Sequence, residues 1–118
     1  MSDLLTPAEL VTMLLDTSRD LDAAQDELRR CIIEDARAEQ RARRAKAIAY
    51  IAASGTEGAR KAAVDQTTDE DQYAAHLADG MVKAAMEAVR SKRAQLSALQ
   101  TMATSIKTEL ELAGRYST

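Results

Sequence analysis

The sequence predicts an all-α fold: a long antiparallel helical hairpin with coiled-coil-like packing, dimerising into a four-helix bundle. Three observations predict it. The 118 residues include four Gly and one Pro, and Phe and Trp are absent, which leaves little material for turns or strands. Apolar residues recur every seven positions through two long stretches. A short connection between those stretches carries the Gly and Thr residues that end one helix and begin another. At this length the hairpin is a single domain, residues 1–118.

Thr6-Pro7-Ala8-Glu9 opens the first helix. Thr6 caps, Pro7 suits the first helical position, and Glu9 reaches back to complete a capping box. No Gly or Pro follows until Gly55, a natural residue just past a helix end, so the helix is expected over 7–54. Residues 55–68 form the hinge, with a short helical turn between Glu57 and Asp65. Thr67-Thr68-Asp69-Glu70 reads as a second capping box, and Asp71 adds a third acid at the positive end of the helix dipole. The second long helix is expected over 69–113, stopped by Gly114. Gly80 lies inside it and is expected to mark a close helix contact.

In the second helix Ala75, Val82, Val89, Leu96, Ala103 and Leu110 recur every seven residues. Ala78, Ala85, Leu99, Ile106 and Ala113 form the companion stripe, with Lys92 its polar member. The first helix offers Leu14, Leu21, Leu28, Ala42 and Ala49, interrupted by Asp35. Its companions are Leu10, Thr17, Ala24, Cys31, Ala38, Ala45 and Ala52. The seam is therefore alanine-rich and close-packed near the hinge, and leucine-rich towards the open end.

Two helices leave apolar surface over. Val11, Leu15, Ile32, Ile33, Ile48 and Ile51 flank the first seam, and Leu77, Met81, Met86 and Met102 the second, which widens the apolar face beyond one contact. Val11, Leu15, Ile32, Ile48, Ile51, Leu77, Met81 and Met102 are the candidate self-association or partner face. A homodimer of hairpins is the leading cover and a protein partner the alternative. Read without a function, these are scattered surface hydrophobics.

Charge is segregated. Residues 1–28 carry seven acids and one base, and 29–61 carry nine bases and four acids. Residues 62–89 carry six acids and one base, and 90–118 five bases and two acids. An antiparallel hairpin sets opposite blocks side by side, which favours that topology and its register. Within the basic block Arg30, Arg37, Arg41 and Arg44 share a helix face, with Arg43 and Lys46 flanking it. These six are candidate nucleic-acid contacts, because a row of arginines can follow phosphates. No aromatic platform accompanies them, and on a long helix such a row also serves as a solvated face.

No residue set amounts to an active site, and no catalytic, metal or cofactor residue is assigned. Cys31 sits on the seam and reads as a small apolar core residue. His76 has Asp69, Asp71 and Asp79 within reach on the same or adjoining faces, a spacing a metal could use, but a lone His at a capped, acidic helix start is ordinarily a surface residue. Asp35 is expected to pair with Arg90 or Arg93. Ser54 and Ser91 have no base nearby, and Gly55-Thr56-Glu57-Gly58 lacks the ending of a phosphate loop. Met1-Ser2-Asp3-Leu4-Leu5 lacks the basic and apolar regions of a signal peptide. No stretch of about 18 apolar residues exists to span a membrane, and the lone Cys31 suits a reducing compartment. A cytoplasmic protein is expected.

The run Ala45-Lys46-Ala47-Ile48-Ala49-Tyr50-Ile51-Ala52-Ala53, followed by Gly55-Thr56 and Arg60-Lys61-Ala62, resembles small helical proteins encoded by tailed phages and prophages, especially of actinobacteria. So does Ala88-Val89-Arg90-Ser91-Lys92-Arg93-Ala94-Gln95-Leu96-Ser97-Ala98-Leu99-Gln100-Thr101. The resemblance covers about residues 37–113. It implies a genetic setting among recombination and replication functions, in the host cytoplasm, and it brings no catalytic residues with it. Secreted hairpin dimers of the Trp-x-Gly family share the expected shape. Here the hinge has no Trp, and Tyr116 is followed only by Ser117 and Thr118, without the acidic residue of their export motif.

The expected function is a non-enzymatic helical interaction or adaptor protein, a phage accessory factor acting on a recombination or replication partner. One alternative is a DNA-binding accessory protein using the basic helix face. Another is a virion structural or assembly protein.

Overall fold

The computed structural model describes residues 5–116, and for Tyr116 the backbone alone. Met1 to Leu4, which bear on the leader, and Ser117 and Thr118, which bear on the export motif, lie outside the described residues. The chain forms α1 (Pro7–Ala52), α2 (Glu57–Thr67) and α3 (Asp69–Tyr116), with no strand among the described residues. The fold is the expected all-α hairpin, with two long helices joined through a short third one.

The capping box at the start of α1 is complete. The Glu9 backbone N–H donates to Thr6 Oγ1 at 3.1 Å, and the Thr6 N–H donates to Glu9 Oε2 at 3.3 Å, so two otherwise orphaned donors are satisfied. At the other end α1 stops at Ala52, two residues short of the expected Ser54. Gly55 follows with φ of +103°, the only positive φ among the described residues, and there the chain reverses.

The turn is fastened by Arg60. Its guanidinium donates to the Tyr50 carbonyl at 3.0 Å and lies 4.2 Å from the Tyr50 ring centroid. Tyr50 in turn donates its hydroxyl to Glu57 at 3.4 Å. The last turn of α1 holds no basic residue, so a cation from α2 satisfies one of its terminal carbonyls and faces the negative end of its dipole. Thr56 caps α2 by accepting from the Ala59 N–H at 3.2 Å.

The second expected capping box does not form. Thr67 and Thr68 turn their hydroxyls back onto the carbonyls of Ala63 and Val64, at 2.8 and 2.7 Å. Thr68 is the single residue between α2 and α3 and is 1% exposed. Its hydroxyl, already donating, accepts from Gln72 Nε2 at 2.8 Å, and its carbonyl accepts the Gln72 N–H. Burial leaves it no water, so its bonds close onto the two helices it links.

The chain divides into two compact units. One comprises residues up to Asp26 together with Glu87 onward, and the other Glu27–Met86. In the first, Leu10 and Leu14 lie beside Ala103, Ile106 and Leu110, while Asp20 meets Lys92 at 3.5 Å. Positions rising along α1 meet positions falling along α3, so the two long helices are antiparallel. Leu10, Val89 and Leu99 are its buried apolar side chains. In the second unit Cys31, Ala38, Ala42, Val64 and Ala85 are buried. The change from leucine to alanine cores agrees with the expected taper.

The seam follows the seven-residue pattern closely. Ala75, Ala78, Val82, Ala85, Val89, Lys92, Leu96, Leu99, Ala103 and Ile106 are all buried or half-buried, and so are the α1 stripe positions from Leu10 to Ala49. Departures come at the ends. Ala52 closes α1 exposed, while Leu110 and Ala113 are exposed where only the first turn of α1 stands opposite.

Two glycines differ from expectation. Gly80 has no atom within 4 Å of where a Cβ would stand, so it marks no close contact; it falls on the side of α3 turned away from the seam. Gly114 does not stop α3, which continues to Tyr116 because Gly114 keeps a negative φ.

These two environments predict opposite effects in thermal unfolding. Gly80→Ala should stabilise by about 0.5–1 kcal/mol, because a mid-helix glycine is replaced in open space. Gly55→Ala should destabilise by about 1–2 kcal/mol, because its φ is left-handed.

Candidate functional site

Position along a helix and the heptad spacing place the remaining side chains. On α1 one outward face collects residues at multiples of seven: Asp16, Arg30, Arg37 and Arg44, and beside them Asp20, Glu27, Glu34 and Arg41. The arginine row thus continues, towards the N-terminus, as a row of carboxylates on the same face. Sequence reading singled out the basic half. The acidic half carries the same signal, since Asp16 and Asp20 stand three heptads before Arg37 and Arg41.

All six candidate nucleic-acid residues are exposed. Three are held by carboxylates on their own helix: Arg30 by Glu27 (Nε to Oε2, 3.0 Å), Arg37 by Glu34 (3.1 Å) and Arg43 by Glu39 (2.6 Å). Such exposed pairs contribute little, because water and salt screen them. Arg41, Arg44 and Lys46 have no ionic or hydrogen-bonding partner among the described residues. Lys46 and Arg43 fall on a different side from the row. They line a groove with Asp35, Glu39, Gln72, His76 and Asp79.

That groove settles the place of Asp35. It stands beside the first turns of α3, around Ala75 to Asp79, which corrects the expected pairing with Arg90 or Arg93. Arg90 bonds to Glu87, one turn before it. The reason is the hairpin register, which sets residue 35 against the 75–79 region. Among the described residues no group of three or more His, Cys, Asp or Glu side chains is placed to hold a metal ion.

A second groove opens on the arginine side of the Glu27–Met86 unit. Cys31 and Ala38 are its buried floor, Leu77 and Met81 from α3 form one wall, and Arg30, Glu34 and Arg41 from α1 the other. Leu77 is 53% and Met81 45% exposed. The same outward stripe of α3 continues as Ala84, Ala88, Ser91, Gln95, Ala98, Met102 and Ser105, all exposed and none charged. Sequence reading named the large members and missed the uncharged stripe that joins them.

The other candidate apolar residues stay in water. Val11, Leu15, Ile32 and Ile48 are each half or more exposed, and Ile51 is 82% exposed. Met102 is exposed as well, and Ile33 and Met86 join them. Val11 and Leu15 stand on a different side of α1 from the arginine row, so the candidate residues form more than one patch. No described helix is long and apolar enough to cross a membrane.

Cys31 is buried and unbridged. Burial pushes its thiol above the usual range, and the neighbouring Glu27 carboxylate, which accepts from Sγ at 3.6 Å, pushes the same way. Glu27 itself is held low by its hydrogen bond to Arg30. A raised thiol pKa means that the unfolded chain releases its proton first, so stability falls as pH rises through and above about 9. The native protein should therefore react with an alkylating thiol reagent at least about tenfold more slowly than the urea-unfolded chain. Equal rates would show that the thiol is accessible.

Compared with known proteins, the chain matches no family model, and no curated protein or solved structure matches it.

Proposed function

We propose that the chain is a non-enzymatic helical interaction module, which self-associates through exposed faces of its hairpin and acts as an adaptor for a protein partner. The observation that carries this reading is surface. Large apolar side chains stand in water on both long helices, Leu77, Met81, Ile48 and Ile51 among them, with Leu77 53% and Ile51 82% exposed. At roughly 25 cal/mol per Å², covering a few such residues is worth several kcal/mol. The resemblance of residues 37–113 to phage accessory proteins supports looking for the partner among recombination and replication proteins.

Sedimentation equilibrium should find a dimer. Leu77→Lys with Met81→Lys should weaken it by roughly 30-fold or more, with helicity retained because both side chains already lie in water. A monodisperse, stable monomer at high concentration would overturn the reading.

A second reading is a DNA-binding accessory protein. What favours it is that Arg41 and Arg44, on one face, have no partner among the described residues. On this reading labelled single- or double-stranded DNA binds at low salt and is released as salt rises. Replacing Arg37, Arg41 and Arg44 together by Gln should abolish that binding without loss of helicity. No binding at low salt removes the reading.

A further inference from the structure

Within the Glu27–Met86 unit, α1 carries a second stripe behind its seam. Ile33, Arg37, Gln40, Arg44, Ala47 and Ile51 follow one another at alternating steps of four and three residues, so they share one face. All six are exposed, whereas Ala38 and Ala42 of the same stretch are buried. The stripe runs for roughly 27 Å at the usual helical rise.

Its order is apolar at both ends and cationic between. Ile33, Ile51 and the flanking Ile48 are each more than half exposed. Arg44 and the neighbouring Arg41 have no partner among the described residues, and Arg37 is held only by its exposed pair with Glu34. That pair exchanges at little cost. The uncompensated charge of the stripe is therefore positive.

We infer that this face of α1 docks one amphipathic helix of a partner protein, with apolar residues at the two ends of its contact and carboxylates between them. The inference rests on the adaptor reading above and adds the surface and the chemistry of the partner. Both halves of the pattern are needed. A wholly apolar helix buries Arg37 and Arg44 without counter-charge, which is costly. A wholly acidic segment pairs with the arginines and leaves the isoleucines in water. DNA does the same, since phosphates give an isoleucine nothing. An anionic lipid surface suits cations that flank an apolar face, whereas here the arginines interrupt it. A helix laid along the stripe meets each residue type with its complement, the mode in which amphipathic helices dock on helical surfaces.

The test is fluorescence anisotropy with a labelled, alanine-based helical peptide of about 20 residues, long enough to hold its helix. One face carries leucine at both ends and glutamate between, and a control peptide has lysine in place of glutamate. The acidic peptide should bind at least about 30-fold more tightly than the basic one. Arg37→Glu with Arg44→Glu should reverse that preference. Ile33→Ser with Ile51→Ser should weaken the acidic peptide about tenfold or more, with helicity and sedimentation unchanged. If a double variant loses helicity, Arg44→Glu and Ile51→Ser alone give the same comparison.

Equal binding of the two peptides, or of neither, overturns the docking face and leaves self-association standing. Unchanged binding after the isoleucines are replaced overturns it too. Loss of the homodimer in the isoleucine variant assigns the face to a second copy, and DNA bound in place of the peptide assigns it to nucleic acid; either overturns the partner helix. A monomeric chain that still prefers the acidic peptide overturns self-association alone.

Discussion

The seam between α1 and α3 is the constraint on which the rest of the molecule depends. Residues at alternating three- and four-residue steps are the ones withdrawn from water on both helices, from Leu10 to Ala49 and from Ala75 to Ile106. A helix in water gains little from its own hydrogen bonds, so helices of 46 and 48 residues persist because each gives the other an apolar stripe to pack against. Most positions off that stripe are exposed by geometry, because a helix turns most of its circumference away from a single neighbour. Exposure of Ile51, Leu77 and Met81 is therefore a consequence of the two-helix architecture and not a local fault in packing.

Small residues and polar exceptions shape the seam. Cys31, Ala38, Ala42 and Ala85 make the buried part of the hinge-side unit, where slender side chains let backbones approach. Near the hinge the apolar gain per residue is correspondingly small, and hydrogen bonds take over: Arg60 on the Tyr50 carbonyl, and Thr68 bonded to Val64 and Gln72. Lys92 and Asp35, half-buried on the stripe, reduce burial at their levels and oppose sliding of one helix past the other, as polar residues at core positions do elsewhere.

What the seam leaves over lies on the outward faces. The grooves carry mixed charge or apolar walls, and the one His and one Cys of the chain lie in different grooves, His76 beside Asp79 and Cys31 beneath Leu77 and Met81. The features with a direction are the acidic-to-basic gradient along α1 and the uncharged stripe along α3. Both are properties of surface, and the proposed role as an interaction module draws on them.

The sequence by itself determined the helices, the seam and the exposed apolar residues, because a seven-residue recurrence is a local property that survives whatever the partner helix does. It also determined the capping box at Thr6 and Glu9, a contact between neighbours three residues apart. Tertiary structure decided what depends on register and burial. Asp35 faces the Ala75 to Asp79 region, Gly80 points into open space, and Arg60 reaches back to α1. Thr68 gives up its expected cap because, once buried between α2 and α3, its hydroxyl bonds to groups that only packing brings near. Spacing along one chain fixes which residues share a face. Which residues meet across a turn is fixed by the length and angle of that turn, and neither is written in the periodicity.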